Sequence, residues 1–323
     1  LGGGGPIAMT FGPYGTEKAL YYTTFAGGGQ VRRIAYTAGN RSPVASVRVV
    51  GDNFGPSTKQ LEFDGSGSSD PDAGDTLTYE WDFTSDGTVD ATGAAVTHTY
   101  EAPGKHTASL TVRDGNGGRS TNTVEVFPGD TPPVPVIDTP ASGALFRVEE
   151  EITLNGSADD AEDGQLADSA LSWRVLQHHD GNHTHPLLGP TPGNNPTVTA
   201  PAPEGLFSTD PAGNYLEIRL TATDAQGLSR TVVRELRPNT VEIGFGTQPS
   251  GLRLRVNGEA FRAPKTFVSW EGYNLNVFAP RQEDPDGRLW GFRSWSDGGT
   301  QKHTIKTPAA PTTYTATFER LRH

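Results

Sequence analysis

LEFDGSGSSDPDAGDTLTYEWDF, residues 61–83, decides the fold. It begins as an alternating apolar run (Leu61, Phe63), turns through Gly-Ser, crosses an acidic loop and returns as a strand with one tryptophan, Trp81. ITLNGSADDAEDGQLADSALSWRV, residues 152–175, repeats the plan, with Trp173 on the returning strand. The far ends of the two copies match as well. SLTVRDGNGG (109–118) parallels RLTATDAQGL (219–228): an alternating strand, an Asp and a Gly-bearing turn. Short strands of period 2, punctuated by turn residues and repeated as a block, predict β-sandwiches with Greek-key connections. The lone Trp of each copy belongs on a central strand, packed between the sheets.

Outward from the repeat, DTPPVPV (130–136) separates the copies, and its prolines favour stiff, extended backbone. Before the first copy, ALYYTTF (19–25) and QVRRIAY (30–36) flank AGGG and read as a β-hairpin. Such a hairpin is marginal alone, so Leu20, Tyr22, Ile34 and Tyr36 need a surface to pack on. After Thr240, VEIGFGT, LRLRVNG, TFVSW, NLNVFAP, WGFRSWSDGG, HTIKT and TYTATFER form a smaller all-β module with a basic RLRH tail. The expected organisation is a hairpin segment (1–45), a first sandwich (46–130), a second sandwich (131–239) and a C-terminal β module (240–323). The fold class is all-β: tandem immunoglobulin-like sandwiches followed by a small β module.

Composition agrees. Among 323 residues, 33% are hydrophobic, with 40 Gly and 25 Pro: much turn chemistry and modest core material. The net charge of −12 argues against nucleic acid or an anionic membrane as partner and suits divalent cations. The absence of cysteine fits a disulfide-free bacterial exported protein as well as a cytosolic one. No run approaches the ~20 apolar residues of a spanning helix. LGGGGPIAM at the start reads as the interior of a larger protein.

Three clusters carry candidate chemistry. The first acidic loop offers Asp64, Asp70, Asp72 and Asp75, followed by Asp82 and Asp86; the second offers Asp159, Asp160, Glu162 and Asp163, with Asp168 or Asp224 as additions. Calcium takes six to eight oxygens from flexible loops, and crowded carboxylates repel one another until a cation relieves them. Neither loop has the spacing of an EF-hand, and carboxylates on one loop do not face each other across a cleft as acid/base pairs do. The bland reading is Asp and Ser capping their own turns. The third cluster is LQHHDGNHTHPLLG (176–189). His183 and His185 share a strand face and suit a transition metal, with His178 or His179 as a third ligand and Asp180 as a further one. The bland reading is a hairpin tip at DGN (180–182) flanked by polar rings. In WGFRSW, alternation puts Trp290 and Phe292 in the core and leaves Trp295 exposed, a candidate for stacking on a carbohydrate.

FDGSGSSDPD, YEWDF, HTYEAPGKHTASLTVRDGNGG and the closing VEV strand, within residues 62–127, closely resemble a PKD domain, an extracellular immunoglobulin-like sandwich. FGPYG, ALYYTTF, GGGQVRRIAY and GNRSPVA resemble the last propeller strands of bacterial glucose/sorbosone dehydrogenases, and EDG (162–164), HTHP (183–186) and WSDGG (295–299) follow in the order seen in some of them. That resemblance implies a secreted bacterial enzyme that uses pyrroloquinoline quinone (PQQ) and calcium in a six-bladed propeller, with this chain as its non-catalytic C-terminal arm. About 40 residues cannot build six blades, so the quinone site would belong to a propeller outside this sequence. The arm would space or target the enzyme, with polysaccharide or a cell-surface glycan as partner. Two rival readings are a piece of the working quinoprotein itself and a purely structural surface or filament component.

Overall fold

The structure, a computed structural model, describes residues 6–14, 17–24, 31–35, 39–72, 74–179, 183–205, 210 and 212–321. The chain forms two compact units, one of Leu1–Asn53 with Ser57–Pro128 and one of Phe54–Pro56 with Gly129–His323. The expected segments 1–45 and 46–130 thus fall largely in the first unit, and 131–239 and 240–323 in the second.

In the first unit, strands Pro6–Tyr14, Glu17–Thr24 and Val31–Ala35 make an antiparallel sheet in that order. The sequence indicated only the second pair; the turn at 26–29 and Tyr36 lie outside the described residues. Leu20 pairs with Phe11 on one side and Ile34 on the other. The sandwich that follows has one sheet of Arg119–Pro128, His106–Arg113, Thr78–Asp82 and Ala91–Thr92, neighbours in that order. Its other sheet runs Arg48–Val50, Lys59–Asp64, Ala95–Tyr100. Inward residues of both sheets close on Phe63, Trp81, Phe83, Leu110 and Val112. Phe63 and Trp81 lie 5.7 Å apart between ring centroids. The Gly of the Gly-Ser turn is explained by this packing: a Cβ on Gly65 would sit 2.6 Å from Leu110 and 3.4 Å from the Trp81 ring.

The second unit opens with the repeat of that sandwich. One sheet holds Val134–Thr139, Asn155–Asp160 and Gly164–Gln165; the other runs Leu145–Phe146, Ser229–Pro238, Tyr215–Thr223, Leu171–His179, His183–Pro192. Trp173 is fully buried among Leu154, Ile218 and Leu220. Gly156 fills the place of Gly65, and a Cβ there would meet the Val136 carbonyl at 2.5 Å and Trp173 at 3.1 Å. The C-terminal residues form a five-stranded and a four-stranded sheet around Ile243, Phe245, Leu254, Val277 and Phe318.

These two parts of the second unit share a core. Trp270, the last residue of strand Lys265–Trp270, lies in the core of the second sandwich, its ring 5.7 Å from Phe146 and nearly perpendicular to it. The Val148 N–H donates to the Glu271 carbonyl (2.8 Å), and Lys306 pairs with Glu149 (2.9 Å). The expectation for Trp295 is overturned. A bulge between Phe292 and Ser294 resets the alternation and turns Trp295 inward to 3% exposure, with Nε1 donating to the Gln301 carbonyl at 3.4 Å. A buried indole offers no face to a sugar.

Candidate metal centres

Asp160 ends strand Asn155–Asp160 on the face of Gly156 and Ala158, which alternation turns inward. Its Oδ1 accepts the N–H groups of Glu162 and Asp163, both at 2.9 Å, and so closes the acidic loop. Asp224 follows strand Tyr215–Thr223, and its Oδ1 accepts from Gln226 (3.0 Å) and Leu228 (2.8 Å). Asp130, before the Pro-rich strand, accepts its neighbour Thr131's N–H at 3.0 Å. Each aspartate thus uses one oxygen to shape its own turn. The second oxygen, Oδ2 of Asp130, Asp160 and Asp224, is buried without a hydrogen-bond partner. Glu162 joins them by accepting from Thr131 N (3.2 Å) and Oγ1 (2.9 Å). Asp130, Asp160 and Glu162 each bring an oxygen within 4.8 Å of the others.

The electrostatics record the crowding. Burial first, then the charges of Asp224, Asp160 and Glu162, push the Asp130 carboxyl up to about 6. Burial raises Asp224 too, against the N–H bonds that oppose it, with Asp160 adding repulsion. Among the described residues, no basic side chain pairs with any of the four. Buried carboxylate oxygens without donors are costly. Asp130 and Asp160 hold two of them and stand with Glu162 within 4.8 Å, with Asp224 as a further nearby charge, and an all-oxygen donor set of this kind suits a hard cation.

The first sandwich holds the same scaffold with different contents. Asp114 stands where Asp224 does, its Oδ1 accepting from Asn116 (2.7 Å) and Gly118 (2.9 Å). Its Oδ2, however, accepts from Asn40 Nδ2 at 2.6 Å. Asp70 Oδ1 accepts from the Asp72 N–H, as Asp160 does from Glu162, and Asp72 is held by the Arg41 N–H (2.6 Å) and Nε (2.8 Å). Arg41's backbone and side-chain bonds hold the Asp72 carboxyl below its usual range. Burial works to raise Asp114, but the bonds from Asn40, Asn116 and Gly118 prevail and lower it. Asn40 therefore gives Asp114 Oδ2 a donor that Asp130, at the same place in the second copy, does not give Asp224, and Arg41 brings Asp72 a positive charge where Thr131 brings Glu162 only neutral donors; Asp70 Oδ2 and Asp75 Oδ2 stay buried without a partner in the first copy as well.

Not every residue picked from sequence joins a centre. Asp70, Asp72 and Asp75 do lie together. Asp82 does not: its two oxygens take the N–H groups of Thr84, Ser85 and Gly87, so it caps its own turn. Asp159 lies on the exposed side of its strand, opposite Asp160. Asp163 points to the neighbouring loop and accepts the Ala225 N–H at 2.9 Å, while Asp168 accepts from Asn194 at 3.3 Å. Asp130 was missed because it lies in the linker; aligning it with Asn40 in the repeat was the available signal.

The histidines divide between two faces. His178 stacks on Tyr215 (centroids 4.3 Å apart) and bonds Glu217 at 2.9 Å. His179 faces the other way, buried, with His183 and His185: the three rings stand 5.0–5.2 Å apart. Glu204, absent from the sequence reading because it comes from a distant loop, brings Oε1 to 3.5 Å from His179 Nε2 and 3.8 Å from His185 Nε2. Asp180 and the turn at 180–182 lie outside the described residues.

Comparison with known proteins accounts for one part of the chain. Residues 40–127 match the PKD domain family, in keeping with the immunoglobulin-like sandwich that these residues form. Collagenase ColA of Clostridium perfringens is 35% identical over 113 residues, which cover 35% of this chain and 10% of the enzyme; the match thus spans a tenth of that protein. Among solved structures, the fibronectin(III)-like modules of Clostridium thermocellum CbhA overlay 59% of this chain and 93% of their own, at 14% identity and a TM-score of 0.31. The three N-terminal domains of the bacteriophage RB49 outer capsid protein Hoc overlay 87% of this chain and 99% of their own, at 8% identity and a TM-score of 0.25.

Proposed function

We propose that this chain is a non-catalytic arm of an extracellular protein, and that calcium locks its second sandwich through Asp130, Asp160, Glu162 and Asp224. One observation carries the calcium reading: Asp130 and Asp160 each keep a buried Oδ2 without a hydrogen-bond partner, and their carboxylates come with that of Glu162 within 4.8 Å of one another. The match of residues 40–127 to the PKD domain, and the likeness to part of a collagenase, support an accessory module outside the cell. Extracellular calcium modules work with dissociation constants of about 10⁻⁴–10⁻³ M, which a site of this charge and rigidity reaches. Calorimetric titration is expected to show calcium binding in that range and a rise in melting temperature. Asp160→Asn, which leaves the turn-capping Oδ1 in place, is expected to abolish both. Absence of binding at about 10 mM calcium, well above that range, overturns the reading.

The parent enzyme is part of the same proposal. The order of motifs from FGPYG through HTHP to WSDGG supports a PQQ-dependent sugar dehydrogenase whose propeller, not this arm, holds the quinone. The arm would then carry the enzyme to polysaccharide or a cell-surface glycan. A quinone absorbance change on this chain alone counts against the non-catalytic role, and failure to sediment with any polysaccharide or whole cells counts against targeting.

A further inference from the structure

The strands Leu171–His179 and His183–Pro192 are paired so that His179 lies across from His183 and Gln177 across from His185. Residues directly opposite share a face, and so do residues two apart on one strand. The register therefore puts His179, His183 and His185 on one side of the hairpin. His178, one position earlier, must point to the other side, where Tyr215 and Glu217 hold it.

From this geometry we propose that His179, His185 and Glu204 form a binding site for a borderline transition-metal ion such as zinc or copper, with His183 as the fourth side chain. The ligand atoms of His179, His185 and Glu204 all fall within 4.8 Å of one another. In a tetrahedral zinc site with bonds of about 2.0–2.1 Å, neighbouring donor atoms lie about 3.3 Å apart. The His179–Glu204 and His185–Glu204 separations are 3.5 and 3.8 Å, within about half an ångström of that spacing, and the two imidazoles lie within 4.8 Å of each other. His179 is 2% exposed, whereas the His185 and Glu204 side chains are about half exposed, so the site has a fixed inner ligand and an open outer side. Imidazole nitrogens suit zinc and copper and are poor calcium ligands, so this site and the acidic centre select different ions.

The test uses the full chain without a polyhistidine tag, kept saturated with calcium to occupy the acidic centre. Zinc is titrated by calorimetry and against a chromophoric chelator; the expected result is one zinc per chain. His185→Ala and Glu204→Gln change exposed side chains and should each weaken zinc at least tenfold with the melting curve in calcium unchanged. His178→Ala should leave affinity unchanged, as should Asp130→Asn with Asp224→Asn, which separates this site from the calcium centre. Bound Cu²⁺ should show nitrogen hyperfine lines in its electron paramagnetic resonance spectrum, reduced by His185→Ala. The proposal is overturned if the wild type takes up no stoichiometric zinc, if His185→Ala and Glu204→Gln bind as the wild type does, or if the loss follows His178 or the acidic residues instead.

Discussion

Asp130→Asn tests the reasoning most sharply, because it rewrites the second sandwich in the terms of the first. In the wild type at pH 7 without calcium, folding holds Asp130 ionised although its carboxyl is pushed up to about 6. Against an unfolded value near 3.9, that is about two pH units at 1.36 kcal/mol each, or about 3 kcal/mol. The amide removes that charge and gives Asp224 Oδ2 a donor, as Asn40 does for Asp114 at 2.6 Å. The variant should therefore be about 3 kcal/mol more stable in a calcium chelator at pH 7, a rise of about 6–12 °C for a unit of this size. The sign follows from the raised carboxyl. Native protein holds a proton that the unfolded chain has lost between about pH 4 and 6, so wild-type stability is greatest below that window and falls as pH rises through it. The advantage of the variant should accordingly shrink to under about 1 kcal/mol at pH 4. In calcium at pH 7 the order should reverse, since the variant lacks a ligand. Scanning calorimetry of both proteins, with chelator and with calcium, reads all of this. A variant less stable than wild type in chelator at pH 7, or one that keeps the full calcium shift, would refute the account.

Further outcomes follow from the same structure. Calcium affinity should fall about tenfold between pH 7 and pH 5, as Asp130 takes up its proton, measurable by titration at fixed ionic strength; a flat profile contradicts protonation at the site. Trp270→Ala should cost about 3–5 kcal/mol and lower the melting of the second sandwich together with the C-terminal strands, since the ring sits in the sandwich's core. Two separate transitions, with only the C-terminal one shifted, argue against a shared core. Gly156→Ala should destabilise by about 1–3 kcal/mol through its clash with the Val136 carbonyl and Trp173, read by urea unfolding. Trp295→Ala should lower stability and leave any polysaccharide binding unchanged, as sedimentation with the polymer would show.

The sandwiches were legible because period-2 alternation, Gly-Ser turns and one Trp per copy are local signals that a repeat makes louder. The strand Pro6–Tyr14 was not, because PIAMTFGPY alternates poorly and its Gly and Pro suggest a turn. Trp295 was misread for a local reason: a single bulged residue flips every later side chain to the other face. The candidate sites were legible in kind and incomplete in membership. Asp160 and Glu162 stand in a dense acidic run, and His183 and His185 in an alternating pair. Asp130 and Glu204 come from other segments, and only folding brings them near. Asp82 and Asp159 fail because a carboxylate beside a turn caps it, or sits on the wet face, more readily than it reaches a neighbour.

Asn40 and Asp130 occupy matching places, and the Asn and Asp codon families, AAY and GAY, differ only in the first base. An A-to-G change there exchanges an amide that donates to the aspartate opposite it for a carboxylate that repels that aspartate. Copies of such a sandwich along a chain can therefore gain or lose sensitivity to calcium one at a time, by the commonest class of point mutation, with no rebuilding of strands or loops. On that view the residue just ahead of each sandwich acts as a setting for the environment in which that link becomes firm.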